Sequence, residues 1–88
     1  MAKTFQVGIY SSDQILYEGE AVSLIVPSVS GYLGVLADHA SIVAKLTVGK
    51  IILRLSTGKT SVIGVSAGGF LEVLKNQVTL LLWKEEIA

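Results

Sequence analysis

The sequence contains no cysteine, a single proline and few charged residues. Without cysteine there is no disulfide framework and no thiolate chemistry, a composition that fits a reducing compartment. Charged residues make up 16% of the 88 residues, seven basic and seven acidic, and neither sign forms a run. A nucleic-acid-binding protein needs a basic stripe for the phosphate backbone, so we expect no nucleic-acid partner.

Hydrophobic residues, in contrast, make up 51% of the chain. The length suits one domain, residues 1–88, with a single core. The apolar content exceeds what so small a core needs, which indicates that part of it covers a partner. The longest uncharged stretch, residues 21–37, is interrupted by Ser, Pro and Gly and is no transmembrane helix, and the N-terminus lacks the apolar core of a signal peptide.

The prevailing apolar period is two residues, which is typical of half-buried strands. Phe5 to Tyr10 and Lys50 to Leu55 alternate most clearly, and Ser56 to Lys59 is typical of a hairpin turn. We also expect a turn at Glu18 to Glu20. Residues 38–45 leave two options open, a strand at Ser41 to Ala44 and a single helical turn capped by Asp38. Turn signals recur every eight to twelve residues or so, which predicts an all-β fold: a flattened antiparallel β-sandwich or barrel of eight to ten short strands.

The sequence Gly64-Val65-Ser66-Ala67-Gly68 matches G-x-S-x-G, the motif that exposes a nucleophilic serine in hydrolases. That motif needs a helix after the serine and a histidine later in the chain. Here a strand is predicted to follow, and His39 lies upstream, so a minimal serine hydrolase is the weakest hypothesis. Small residues at a tight bend explain the segment better.

Nothing else in the chain assembles into a catalytic or cofactor site. His39 is the only histidine and there is no cysteine, so no metal site is indicated and an interface histidine is the better interpretation. The glycines at 31–34 and 68–69 are not followed by a helix and match no phosphate-binding loop, so we expect no cofactor. These observations leave a non-catalytic subunit or a generic β-sandwich module that binds a protein or ligand.

Three segments, in order, resemble the N-terminal domain of the epsilon subunit of bacterial and chloroplast F-type ATP synthases. The first resembles that family's G-x-L-G-[IV]-x-x-x-H signature, and the second its loop-glycine-strand entry. The opening, residues 5–19, is also similar, so the resemblance covers nearly the whole chain. The segments are GYLGVLADHA (31–40), LTVGKI (46–51) and VSAGGFLEV (65–73) followed by NQVTLL (76–81).

The resemblance implies a flattened ten-stranded sandwich at the foot of the rotating central stalk. One surface would pack on the gamma subunit and one end would rest on the polar loops of the membrane-embedded c-ring. By the family's pattern, Gly31, Tyr32 and Leu33 would contact the c-ring, and Ser11 and His39 would face gamma. The implied function is non-catalytic: the subunit couples c-ring rotation to gamma in a proton-translocating ATP synthase. It would lie peripherally at the cytoplasmic face of the bacterial inner membrane and touch the membrane only through the complex.

Two departures from the family pattern change what is expected. Members often carry an acidic residue where this chain has Tyr32, so stacking or hydrogen bonding would replace an ion pair to the ring. The family usually continues into a C-terminal helical hairpin, whereas only residues 84–88 follow the last predicted strand. Inhibition of ATP hydrolysis and nucleotide binding by that hairpin are therefore not expected of this chain.

Overall fold

The computed structural model describes residues 3–83, and their regular elements are nine β-strands. Each strand is five to seven residues long and alternates buried and exposed side chains over much of its length. The strands are β1 (Phe5–Tyr10), β2 (Ile15–Ala21), β3 (Ser23–Ser28), β4 (Gly31–Val35), β5 (Ile42–Leu46), β6 (Gly49–Arg54), β7 (Thr60–Val65), β8 (Gly69–Leu74) and β9 (Gln77–Leu82).

The strands form one continuous sheet that folds over into a sandwich. They pair in the order β2-β1-β9-β8-β5-β3-β6-β7, and β4 pairs with β3 outside this path. The step from β5 to β3 is a single residue pair, Ser28 with Leu46, so the sheet bends there. One layer is therefore β2-β1-β9-β8-β5 and the other is β4-β3-β6-β7. The predicted all-β flattened sandwich of eight to ten strands is confirmed.

The core lies between the two layers and contains only aliphatic side chains and one phenylalanine. The alternation places every second residue of β1, β8 and β9 inward, and β3 and β6 supply the facing residues. Burying such a side chain stabilises the fold by roughly 1.5–3 kcal/mol. The largest fully buried residues are Phe5, Ile9, Leu24, Val26, Val35, Leu46, Ile51, Leu53, Leu71, Val73, Val78 and Leu80.

Three details differ from the sequence-based expectations. The sheet is not wholly antiparallel, because β1 and β9 pair in parallel from Gln6 with Gln77 to Tyr10 with Leu81. The predicted turn at Glu18 to Glu20 lies inside β2, because β1 offers a hydrogen-bonding partner along the whole segment and tertiary pairing overrides turn propensity. Asp38 caps no helix: its φ of 65° places it in the left-handed region.

The hairpin predicted at Ser56 to Lys59 is present between β6 and β7. The Leu55 N–H donates to the Lys59 carbonyl at 2.8 Å, and the Gly58 N–H donates to the Leu55 carbonyl at 2.9 Å. Gly58 has a φ of 93°, the conformation for which a glycine was expected there. This turn lies at the opposite end of β6 from Gly49.

Candidate functional site

Tyr32 lies on the exposed edge strand β4 and covers the start of β6. Tyr32 is the second residue of β4 and pairs with Pro27. Its hydroxyl accepts a hydrogen bond from the Lys50 backbone N–H at 3.3 Å. A methyl group added at Gly49 would lie 2.6 Å from the Pro27 Cβ and 2.8 Å from the Tyr32 hydroxyl. The Tyr32 phenol group therefore occupies space that any side chain larger than that of glycine would fill at position 49.

Tyr32 belongs to an apolar tip, which we define as Val29, Tyr32 and Val48. These side chains are 61%, 62% and 65% exposed. Two backbone hydrogen bonds hold the β3–β4 and β5–β6 turns side by side, from the Val29 N–H to the Lys45 carbonyl and from the Thr47 N–H to the Pro27 carbonyl. Such a cluster of exposed apolar groups on a small protein is typical of a contact surface.

The other two residues expected at the ring contact are placed differently from Tyr32. Gly31 is exposed, has a φ of 115°, and has no atom within 4 Å of the position a Cβ would take. Leu33 is half-buried and packs against the core. Only Gly31 and Tyr32 of the three therefore present themselves to a partner at the tip.

Ser11 and His39 lie at opposite ends of the sandwich. Ser11 follows the last residue of β1, whereas the Asp38–His39 turn is tied to the start of β1 through Asn76, whose carbonyl accepts from the Gln6 N–H. The stretch from Gln6 of β1 to Ser11, five residue steps or about 17 Å, separates the two ends of the sandwich. The Ser11 hydroxyl oxygen is buried and finds no hydrogen-bond partner among residues 3–83, while the His39 Nδ1 lies 2.7 Å from the Ala40 carbonyl oxygen.

At the Ser11 end the outer surface of the first layer carries a row of large side chains, here called the aromatic face. Phe70 pairs with Leu81 and Leu81 pairs with Tyr10, so the three share one face. Trp83 packs edge-on against Phe70 with ring centroids 5.1 Å apart. Phe70, Leu81 and Trp83 are 42%, 50% and 48% exposed. Ser11 directly follows Tyr10, so the aromatic face reaches the serine at this end.

Lys3, Asp38 and Asn76 form a polar cluster at the His39 end that the sequence did not reveal. The Lys3 ammonium donates to the Asp38 carboxylate at 2.6 Å, and the Asn76 side-chain amide donates to the other carboxylate oxygen at 3.1 Å. The Asp38 backbone N–H donates to the Asn76 side-chain oxygen at 2.7 Å. The hydrogen bonds from Lys3 and Asn76, with the positive charge of Lys3, lower the pKa of Asp38, and the bond to Asp38 raises the pKa of Lys3.

Replacing Lys3 with methionine is expected to lower Tm near neutral pH and to have no effect at either pH extreme. Because the pKa of Asp38 is lower in the folded state, its carboxylate contributes to folding stability above about pH 3.9, the unfolded pKa. That contribution is lost as the pH falls through the lower pKa of the folded state. Because the pKa of Lys3 is higher in the folded state, its ammonium group contributes to folding stability below about pH 10.4, the unfolded pKa. That contribution is lost as the pH rises through the higher pKa of the folded state. Both groups are exposed, so salt should shrink the difference. Melting curves of both chains over the pH range test this, and a difference that survives full protonation of Asp38 contradicts it.

Ser66 and His39 are too far apart to act as nucleophile and base. Ser66 is exposed in the bend that precedes β8, and strand β8 follows it where a hydrolase would have a helix. The far end of β8 leads into the turn at Asn76, which binds the Asp38–His39 segment. The strand between them is about 17 Å long. Among residues 3–83 no three His, Cys, Asp or Glu side chains meet as metal ligands, and no helix of that part is long and apolar enough to cross a membrane.

Comparison with known proteins identifies the family. The domain described as "ATP synthase, Delta/Epsilon chain, beta-sandwich domain" matches residues 4–86. The chain belongs to this family. It is 41% identical over 81 residues to the ATP synthase epsilon chain of Dichelobacter nodosus, covering 92% of this chain and 56% of that one. It is 42% identical over 81 residues to the epsilon chain of Leptospira interrogans, covering 91% of this chain and 61% of that one. The family resemblance read from the sequence is confirmed.

A solved structure supports the fold of this delta/epsilon-type domain. The mitochondrial ATP synthase of Euglena gracilis, solved with its OSCP, F1 and c-ring parts, contains a chain that matches with a TM-score of 0.87 at 22% identity. The match covers 96% of this chain and 52% of that one. This chain therefore spans a little more than half the length of the relatives it matches, and the strands described here are those of their β-sandwich domain.

The sequence missed two features of this delta/epsilon-type domain. Nothing in the local pattern links Lys3 to Asp38, because their contact depends on Asn76 of the β8–β9 turn, 38 residues away from Asp38. The second missed feature is the close approach of the Tyr32 hydroxyl to Gly49. A signal was present, since glycine at the start of a strand indicates a close approach of another group.

Proposed function

We propose that the chain is a non-catalytic subunit of the central stalk of a proton-translocating F-type ATP synthase. It couples rotation of the c-ring to the gamma subunit during ATP synthesis. The observation that carries the proposal is the family match over residues 4–86, on a domain whose fold agrees with that of a chain in a solved ATP synthase. The proposal takes residues 1–88 as a single domain, supported by one core shared by all the strands.

The apolar tip is proposed as the contact with the c-ring. Val29 and Val48 lie in two turns that are joined by backbone hydrogen bonds, and Tyr32 lies beside them in β4, which gives the tip a fixed shape. Gly31 lies beside them with open space around it. A preorganised surface loses less conformational entropy when it binds. The tip carries no carboxylate, so contact with the ring rests on packing and hydrogen bonding.

The aromatic face is proposed as the contact with the gamma subunit. Exposed aromatic side chains are typical of the anchoring residues of interfaces, and Phe70 and Trp83 already hold each other in an edge-on arrangement. Ser11 and His39 lie at the two ends of this layer, so both reach gamma only if gamma covers the length of the layer. No nucleotide, metal or nucleic acid takes part, and the subunit lies peripherally at the cytoplasmic face of a bacterial inner membrane.

Reconstitution tests the proposed function. An ATP synthase depleted of this subunit is expected to hydrolyse ATP with poor proton pumping, and adding the purified chain should restore pumping per ATP hydrolysed. A Phe70→Ser, Trp83→Ser variant should fail to restore it, because two anchors of the aromatic face are lost. Pumping that stays low after wild-type chain has bound would refute the coupling role, and absence of binding would refute the place in the stalk.

A further inference from the structure

The second layer carries an outer surface that neither proposed contact uses. Gly34 pairs with Ile25, Ile25 with Ile52, and Ile52 with Val62, so these four residues form a straight row across β4, β3, β6 and β7. Ile25 is 39% exposed, Val62 is 50% exposed, and the Cβ position of Gly34 is open to solvent. The row is an apolar strip across the outer face of this layer.

Cations border this strip on both sides. Lys50 and Arg54 lie two residues before and two residues after Ile52 on β6, so all three side chains share the outer face. Neither cation forms an ion pair within residues 3–83, where the recorded pair is Lys3 with Asp38. We call the row with these two cations the basic face.

The four strands of this layer contain no carboxylate. Residues 22–71 contain four basic side chains, and Asp38 is their single carboxylate. Asp38 is already bound by Lys3 at the far end of the sandwich. Lys50 and Arg54 therefore have no carboxylate partner among residues 3–83, and both are exposed and open to one on a binding partner.

The spacing of these groups fits a helix. Lys50 and Arg54 are four residues apart, about 13 Å along the strand, and a helix with its side chains is about 10–12 Å wide. The apolar row spans three strand intervals, about 14 Å, which corresponds to about nine helical residues. A helix lying along the row would bury an apolar stripe on Ile25, Ile52 and Val62, and its two flanks would pass beside the two cations.

We propose that the basic face binds an amphipathic helix of a partner protein that carries carboxylates on both flanks of an apolar stripe. The surface adjoins the apolar tip, because the Tyr32 hydroxyl accepts from the Lys50 N–H. It shares no residue with the tip or with the aromatic face, so the inference goes beyond the proposed stalk contacts. A lipid surface fits less well, because attraction to anionic membranes typically uses clusters of four to eight cations, whereas two border this row.

A photocrosslink in the assembled enzyme tests the proposal. Because the chain has no cysteine, Val62→Cys can carry a single benzophenone on the basic face, with Ser56→Cys in the β6–β7 turn as the matched position. Val62→Cys should give an adduct with one helical segment bearing Asp or Glu on both flanks, and Ser56→Cys should not. An adduct with lipid alone, an adduct with a basic segment, or no adduct in an enzyme that retains the chain overturns the proposal.

Charge reversal supplies the second arm of the test. Lys50→Glu with Arg54→Glu should lower the adduct yield at least about fivefold, because like charges across an interface disfavour binding. Lys75→Glu makes the same change of net charge as Lys50→Glu alone, but in the β8–β9 turn of the first layer, and should leave the yield within about twofold. Equal effects of Lys75→Glu and Lys50→Glu overturn the proposal.

If the wild-type chain does not enter the enzyme, the proposed stalk function fails, and the basic face is then judged on the free chain. A 20-residue amphipathic peptide with glutamates on both flanks is the probe, and vesicles of phosphatidylglycerol and phosphatidylcholine are the comparison. Peptide binding that weakens at least fivefold in the Lys50→Glu, Arg54→Glu variant supports the proposal. No binding at millimolar peptide, or binding to the vesicles alone, overturns it.

Discussion

Replacing Gly69 with alanine is expected to lower the Tm by about 10 °C or more. Gly69 is buried at the start of β8, where it pairs with Leu46 on one side and Leu82 on the other. An added methyl group would lie 2.1 Å from the Leu81 carbonyl oxygen and 3.0 Å from the Leu82 Cα. These are backbone atoms of a central strand, so the clash is relieved only by moving β9 away from β8. Overpacking of this kind costs about 1–3 kcal/mol or more.

Two other glycines provide matched controls for the Gly69→Ala melting experiment. Gly34 has no atom within 4 Å of its Cβ position, so Gly34→Ala should leave Tm unchanged or slightly raised, because alanine reduces the entropy of the unfolded chain. Gly58 is equally open but has a φ of 93°, so Gly58→Ala should cost about 1 kcal/mol from backbone strain alone. Equal losses at the three positions would show that crowding at Gly69 is not the cause.

The Gly69 case shows which part of the fold the sequence could predict. A bend before β8 followed from the run of small residues, although Gly69 lies in the strand itself, and the strands around the bend followed from their period of two. The reason for glycine at position 69 did not follow, because the group it avoids is the Leu81 carbonyl of a strand paired with it in space. A sequence pattern shows which side chains of a strand alternate between apolar and polar. It does not show that the backbone of another strand lies close to one of its residues.

The same limit applies to the candidate surfaces. The sequence indicated an apolar excess that covers partners, and the structure places part of that excess on the tip, the aromatic face and the basic face. Phe70 and Leu81 meet because of the β8–β9 register, and Ile25 and Ile52 meet because of the β3–β6 register. Register depends on which strands become neighbours. Neither row was therefore recognised before the pairing was known, although each residue had been assigned to a strand.

Replacing Tyr32 with alanine is expected to weaken attachment to the c-ring by about tenfold while the free chain melts within about 5 °C of wild type. The side chain is 62% exposed, so its removal leaves little cavity in the core. What the free chain loses is the covering of Gly49 and one hydrogen bond, from the Lys50 N–H at 3.3 Å, to which water has access. What the complex loses is the largest side chain of the tip, and truncating such an anchor typically costs more than about 1 kcal/mol of binding.

Tyr32→Phe separates the two roles of this side chain. Phenylalanine keeps the ring over Pro27 and Gly49 and removes only the hydroxyl that accepts from Lys50. If the aromatic ring of Tyr32 is the anchor, Tyr32→Phe should bind the c-ring within about twofold of wild type. If the Tyr32 hydroxyl instead forms a hydrogen bond with the loops of the c-ring, Tyr32→Phe should weaken binding nearly as much as Tyr32→Ala does. Binding is measured as retention of the chain on purified c-rings at increasing salt, with melting curves on the same samples. A large loss of Tm with normal retention for Tyr32→Ala would mean that Tyr32 serves as an internal strut between β4 and β6, and the proposed ring contact would then have to rest on Val29 and Val48 alone.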